Sequence, residues 1–260
     1  KWGESLLLKN LHELTQRLPS QILVRNVEGT AKGWLTSKYK RMDAMPMFES
    51  FMTSGLEFGL VPMDATNSPS RYNIRMMIPN VYQPAEYEVV TFGFQMTTSD
   101  YGNGALGVEF FMMRLFCTNF AIGESCLRKI HLGKRFDNAE IELSNQTMEL
   151  DTKALGSAVK DLMNYGVNKK VGELCEVIAK ADEAKIDPKI EIEKFQKKGD
   201  LTKKMAEEAE AIFNHVEDIT ILPAGKSKWR LSNVFSHMAN TRELDGDKKL
   251  DLQSLAFKVL

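Results

Sequence analysis

The residues of strongest chemical interest lie between Thr98 and Arg135. This stretch, TSDYGNGALGVEFFMMRLFCTNFAIGESCLRKIHLGKR, joins a glycine-rich turn, an apolar run with one arginine, a Cys-Thr-Asn segment and a basic cluster. Because a guanidinium keeps its proton, Arg114 within FFMMRLFC needs a partner or a route to solvent. It could hold a phosphate or a carboxylate through paired hydrogen bonds, or it could form a structural ion pair. In the second case Arg114 and Asn119 are buried polar organisers of the fold.

Cysteine chemistry in this stretch lacks the partners that it needs. Cys117 and His131 are fourteen residues apart, a separation that specifies no nucleophile–base geometry. A zinc site from Cys117, Cys126 and His131 lacks a fourth ligand and a CxxC pair. The sequence also lacks the GxSxG, GxxxxGK[ST], HExxH and GxGxxG motifs. We therefore predict no enzyme activity, no cofactor and no metal, with Cys117 as a buried apolar side chain.

Two basic clusters are candidates for nucleic-acid binding. The first consists of Arg128, Lys129, His131, Lys134 and Arg135. The second places basic residues beside aromatic ones and consists of Trp34, Lys38, Tyr39, Lys40 and Arg41. Basic side chains attract a phosphate backbone whatever its sequence, and aromatic rings stack on unpaired bases. We predict that both clusters and Arg114 bind single-stranded DNA, the alternative being solvated charge runs.

The bulk composition is that of an ordinary globular protein. Of the 260 residues, 43% are hydrophobic and 27% are charged, and the net charge is -1. With no global basic excess, any contact with nucleic acid must come from a local patch. Three cysteines at unremarkable spacings predict a reducing, cytoplasmic setting. The apolar runs are too short to span a bilayer, so no membrane association is predicted.

Periodicity predicts an α+β fold, with antiparallel β-hairpins packed with helices in the first half and a helical second half. In residues 1–145 we predict a helix over 3–17, a hairpin of strands 21–27 and 32–37, and a helix over 44–55 capped by Asp43. Strands 72–78 and 86–97 form a second hairpin with a long connection. Residues 106–121 are either a long strand or a buried helix that ends at Gly123, and 139–143 is a short strand.

The second region, residues 146–260, is predicted to be mainly helical and could pack on the same core as the first. Helices are expected over 147–165, 169–185, 201–216 and 233–242, separated by Gly166, Pro188, Gly199 and Pro223. Asn233 and His237 share one face of the last helix, which indicates a polar cluster or a packing contact.

Several motifs together resemble a family of phage- and plasmid-encoded proteins, titled "phage/plasmid-like protein", that carry a domain of unknown function. The matching residues are Gly33, Tyr39 and Phe48, then Asp100, Gly102 and Gly104, then Arg114, Cys117 and Asn119, then Arg128 and His131, and finally Trp229, Asn233, Ser236 and His237. The Arg-Cys-Asn segment is the most specific of these. Asp43 and Phe120-Ala121 depart from the family pattern, which has asparagine and Asn-Gly there.

The order of hairpins and helices is also similar, more distantly, to the phage single-strand annealing recombinases. That resemblance implies a homo-oligomeric protein that binds and anneals single-stranded DNA in recombination or replication, in the cytoplasm of a bacterial host. The alternative is a non-enzymatic phage accessory or protein-interaction factor. Its contact area would come from adaptable methionines, namely Met42, Met45, Met47, Met52, Met76, Met77, Met112 and Met113.

Overall fold

The computed structural model describes residues 4–17, 22–27, 29–36, 44–67, 71–99, 106–116, 119–129, 144–244 and 246–260. Its helices are α1 (Glu4–Arg17), α2 (Ala44–Glu57), α3 (Asn145–Tyr165), α4 (Val171–Glu183), α5 (Pro188–Lys197), α6 (Lys203–His215), α7 (Lys228–Thr241) and α8 (Gly246–Lys258). Its strands are β1 (Ile22–Val27), β2 (Thr30–Thr36), β3 (Val61–Asn67), β4 (Tyr72–Met77), β5 (Tyr82–Ala85), β6 (Glu88–Thr98), β7 (Leu106–Arg114) and β8 (Asn119–Lys129). The predicted α+β class is confirmed.

The strands form two antiparallel sheets. Strands β1 and β2 pair with each other as a two-stranded sheet, as the sequence predicted. The larger sheet has the order β3-β4-β6-β7-β8, and β5 pairs with β6 beside this path. The predicted second hairpin is therefore the β4–β6 pair, and β5 lies in its long connection.

The ambiguous run after residue 106 is a hairpin of two strands, β7 and β8. The expectation that Gly123 ends this run is wrong, because β8 continues through it to Lys129. A Cβ at Gly123 would lie 2.9 Å from the carbonyl oxygen of Phe110 and 3.1 Å from Cε2 of Phe257. Glycine here allows α8 to pack closely on the sheet, where α7 and α8 both contact β8.

One face of the larger sheet carries the main core. Phe94 on β6 and Phe110 on β7 are cross-strand partners whose rings lie 4.6 Å apart between centroids. Their hydrophobic cluster also contains Met47 of α2 together with Phe235 and Leu255 of the helical region. Side chains from both sides of the predicted boundary at residue 145 therefore share a core.

The opposite face carries a buried polar row that the sequence did not predict. Arg75, Gln95 and Glu109 are neighbours across β4, β6 and β7. The Nε of Arg75 donates to Gln95 Oε1 at 2.7 Å, and its second terminal nitrogen donates to Gln253 Oε1 of α8 at 3.0 Å. Burial lowers the pKa of Arg75, although the carboxylate of Asp64 lies 3.4 Å from a terminal nitrogen and acts in the opposite direction. This row fixes α8 against the sheet.

The helical region differs from its prediction at Gly166 and Pro188. Gly166 was expected to separate two helices, but α3 runs through the π-helical turn Gly166–Lys170 directly into α4. Pro188 is the first residue of α5, and the side chain of Asp187 caps that helix by accepting from the backbone N–H of Lys189. Strand β3 and helices α5 and α8 had not been predicted.

Some predicted elements fall on residues outside the described ranges. These are the Asp43 cap, the turn at 100–104 and the strand at 139–143. Within the described ranges, no helix combines the length and the apolar character needed to cross a membrane.

Substituting Gly166 tests the packing of the π-helical turn on the sheet. A Cβ there would overlap the rings of Phe94 and Phe110. We expect Gly166→Ala to lower the free energy of unfolding by about 1–3 kcal/mol, as overpacking does. The measurement is urea denaturation followed by circular dichroism.

The matched control is Gly172→Ala in α4, because a Cβ at Gly172 meets nothing within 4 Å. That substitution should raise the free energy of unfolding by about 0.4–1 kcal/mol, since alanine restricts the unfolded chain. Equal effects at both glycines would contradict the packing described for Gly166.

Candidate functional site

Arg114, the charged residue singled out in the apolar run, is buried in an ion pair. It lies at the end of β7, diagonally across from Glu88 at the start of β6. Its Nε donates to Glu88 Oε2 at 2.7 Å, and a terminal nitrogen donates to Glu88 Oε1 at 2.9 Å. Arg114 is 2% exposed and Glu88 is 4% exposed. Such two-point pairing satisfies both charges where water cannot.

Two further elements complete the surroundings of this pair. The indole Nε1 of Trp229, on α7, donates to Glu88 Oε2 at 2.8 Å. Terminal nitrogens of Arg114 also donate to the carbonyl oxygens of Ile219, at 2.6 Å, and Thr220, at 3.3 Å. These contacts agree with the interpretation of Arg114 as a member of a structural ion pair and a buried polar organiser of the fold. Arg114 does not belong to an exposed surface that nucleic acid could reach.

A second buried arginine holds the same loop, residues 216–224. Arg230 of α7 donates to the carbonyl oxygens of Phe213, Val216 and Pro223, and burial lowers its pKa. Within the loop, Asp218 Oδ1 accepts from the backbone and the hydroxyl of Thr220. Those hydrogen bonds, with Arg114 nearby, lower the pKa of the Asp218 carboxyl. Two cations thus fix the backbone of one irregular segment.

A cavity of about 190 Å³ opens between this loop and the ion pair. Glu88 and Arg114 line one side of it, and Ile219 and Thr220 line the other. The centroid of the Phe116 ring lies 5.4 Å from Cζ of Arg114, and Phe116 also lines the cavity. The geometry provides a partly apolar recess whose floor is a neutralised ion pair.

The β1–β2 hairpin places Trp34 on its surface. Trp34 and Val24 are cross-strand partners, and they are 49% and 45% exposed. Cross-strand partners point to the same side of a hairpin, so the two side chains form one exposed apolar patch. Two predicted binding residues have a described side-chain exposure, Trp34 and Arg114, and of these Trp34 is the exposed one.

The other predicted binding residues are only partly placed. Arg128 and Lys129 are the last two residues of β8, which is an edge strand, and their Cα partners are Gly107 and Leu106. The remaining members lie outside the described residues, and they are Lys38, Tyr39, Lys40, Arg41, His131, Lys134 and Arg135. Cys117 lies outside them as well.

The polar residues of α7 are mainly structural. Asn233, 2% exposed, donates from Nδ2 to the backbone oxygen of Trp229 at 2.9 Å. His237 is half-buried, and burial lowers its pKa. Cys175, on α4, has its thiol pKa raised by burial, which does not favour a nucleophile.

The methionines singled out as contact area are largely core residues, which corrects that expectation. Met47, Met76, Met112 and Met113 are all buried, whereas Met45 is exposed.

Sequence reasoning missed Glu88, the residue on which this site depends. The signal was the arginine itself, since a buried guanidinium requires a carboxylate. The sequence offers 35 acidic residues as partners, and only strand register selects among them.

Removing the carboxylate tests the buried pair. Glu88→Gln leaves the charge of Arg114 uncompensated, and we expect the free energy of unfolding to fall by roughly 3–5 kcal/mol. Urea denaturation at neutral pH measures the effect. Glu86→Gln, an exposed position two residues earlier, is the control and should change stability by less than about 0.5 kcal/mol. Similar losses in both variants would contradict the structural importance of the pair.

Comparisons with known proteins do not test the resemblance to the phage- and plasmid-encoded family, which stays a prediction. The chain matches no protein-family model, no curated protein and no solved structure. The site is therefore interpreted from its own geometry.

Proposed function

We propose that the protein binds single-stranded DNA without sequence preference and anneals it during recombination or replication of phage or plasmid DNA. The observation that carries the proposal is the exposed Trp34–Val24 patch on the β1–β2 hairpin. An exposed indole backed by an aliphatic side chain is a surface on which unpaired bases stack.

Charge near the hairpin supports the same proposal. Lys38, Lys40 and Arg41 follow β2 within five residues of its end at Thr36. Such a cluster would attract the phosphate backbone, and aromatic stacking would hold the bases. The proposal assigns no contact to Arg114, whose donors bind internal acceptors.

Truncating the indole tests the stacking step. We expect Trp34→Ala to weaken binding of an unstructured single-stranded oligonucleotide by roughly 5- to 150-fold, because stacking contributes about 1–3 kcal/mol per base. Fluorescence anisotropy at several salt concentrations provides the measurement. The logarithm of the affinity should fall linearly with the logarithm of the salt concentration, by about 0.7 per phosphate contacted.

Tyr165→Ala is the matched control, because Tyr165 is an exposed aromatic residue that belongs to α3 and not to the hairpin. It should leave the affinity unchanged. Wild-type protein that shows no binding at low salt, or equal losses in both variants, would overturn the proposal.

Helix α1 favours a second candidate, assembly of the protein into a homo-oligomer. Leu11 and Leu14 are both exposed, although they lie on the apolar stripe that Leu7 and Leu18 extend in the sequence. The spacing of this stripe, four, three and four residues, is that of a helix that pairs with another helix. Exposed leucines at these positions favour self-association.

A charge on the stripe should prevent that assembly. We expect wild-type protein to be oligomeric by light scattering after gel filtration, and Leu14→Lys to lower its mass to that of the monomer. Gln16→Lys introduces the same charge on the opposite side of α1 and should leave the mass unchanged. A wild-type monomer, with or without an oligonucleotide, would contradict self-association.

A further inference from the structure

The cavity beside the Arg114–Glu88 pair has an acidic and aromatic lining that the DNA-binding proposal does not use. Among the described residues, three acidic ones line it, Glu86, Glu88 and Asp182, together with one arginine, Arg114. Glu88 is neutralised by Arg114, to which it is bound through both oxygens. Glu86 and Asp182 add two further acidic residues to the lining.

Aromatic and aliphatic groups make up much of the rest of the lining. Tyr87 and Phe116 contribute rings, and Ile219 and Ala224 contribute aliphatic surface. Tyr87 and Phe116 are 71% and 53% exposed, so they form the mouth of the cavity rather than part of the core. Aromatic faces attract cations and repel anions. The aromatic rings and the acidic residues of the lining therefore both favour a positively charged ligand.

Tyr87 is held in a backbone conformation that its side chain disfavours. Among the described residues it is the one non-glycine residue with positive φ, at 60°. The left-handed conformation costs an ordinary residue about 1–2 kcal/mol, which a glycine in this turn would avoid. Strain of this kind concentrates where a side chain is used for binding.

The lining also excludes other ligand classes. An anion would meet two further acidic residues, Glu86 and Asp182, while Nε and the terminal nitrogens of Arg114 donate to Glu88 and to the carbonyl oxygens of Ile219 and Thr220. A hard divalent cation needs about six oxygen ligands, which a largely apolar wall does not supply. At about 190 Å³ the cavity is smaller than the roughly 300–1,000 Å³ pockets of drug-sized ligands. A group the size of one side chain fits it.

We propose that this cavity binds a primary alkylammonium group, with the alkyl chain against Phe116, Ile219 and Ala224 and the ammonium between Glu86 and Asp182. Tyr87 covers the charged end at the mouth. The group could come from a free amine or from the lysine side chain of a peptide, which present the same chemistry. This binding is independent of the hairpin and of single-stranded DNA.

Three four-carbon probes that differ in their head group test the sign of the charge. Amide chemical shifts of the full chain are followed during titration with n-butylammonium, 1-butanol and butanoate at constant ionic strength. We expect n-butylammonium to shift the amides of Tyr87 and Thr220 and to bind most tightly, with 1-butanol weaker and butanoate weakest. Equal affinity for the alcohol, tighter binding of butanoate, or no shift with any probe would overturn the proposal.

Charge-neutral variants locate the ammonium. Glu86→Gln and Asp182→Asn should each weaken n-butylammonium binding by about threefold to fivefold, the range of a partly exposed ion pair. The asparagine side chain keeps an oxygen that can accept from Ser227, as Asp182 does. Glu149→Gln removes an exposed charge on α3, which pairs with Lys153 at 3.6 Å and does not line the cavity, and it is the control. Loss of affinity in the control as well would show a general charge effect and overturn the assignment.

Tyr87→Gly separates a binding role from a structural one. If the strained tyrosine serves the ligand, this variant binds n-butylammonium more weakly while its urea midpoint is unchanged or higher. A lower midpoint with unchanged affinity would assign Tyr87 to the fold and would falsify its place in the site. Nα-acetyl-lysine N-methylamide then distinguishes the sources, because it shifts the same amides only if a peptide lysine can enter.

Discussion

The buried ion pair between Arg114 and Glu88 is the interaction on which the assembly of sheet, helices and loop depends. It joins the end of β7 to the start of β6, receives the indole N–H of Trp229 and holds the carbonyl oxygens of loop 216–224. A buried pair repays its desolvation only when its remaining hydrogen-bonding groups are satisfied. That requirement orients α7 and shapes the wall of the neighbouring cavity, while leaving the guanidinium engaged inside the protein.

The two faces of the larger sheet pack through different kinds of side chain, aromatic on one face and polar on the other. On one face, Phe94 and Phe110 meet the π-helical turn at Gly166, where only a hydrogen atom fits. On the other face, Arg75, Gln95 and Gln253 form a polar row that ties α8 to the strands. The surfaces proposed for binding lie outside these two sets of contacts. They are the hairpin, the stripe of α1 and the mouth of the cavity.

Local sequence patterns were sufficient to predict the elements whose own residues show a clear strand or helix periodicity. The β1–β2 hairpin and helix α2 were predicted because alternation, turn residues and an apolar stripe are short-range properties. Strand β3 was missed because its sequence, VPMDATN, has a proline and an aspartate where an apolar alternation was sought. Gly123 and Gly166 were interpreted as breaks, yet both serve the close approach of another element to their backbone. A glycine in the sequence shows only that no side chain is present at that position. The sequence does not show whether the glycine is required by a turn or by the close approach of another element.

The sequence by itself determined the α+β class, the presence of a buried-looking arginine and the two basic clusters. Only the tertiary structure decided that Arg114 pairs with Glu88, 26 residues away, and that Glu88 also accepts from Trp229, 141 residues away. It likewise decided that Met76 and Met112 are core residues while Trp34 is exposed. The physical reason is that periodicity and turn chemistry act over a few residues. Partner choice and burial instead follow from strand register and from which faces pack together.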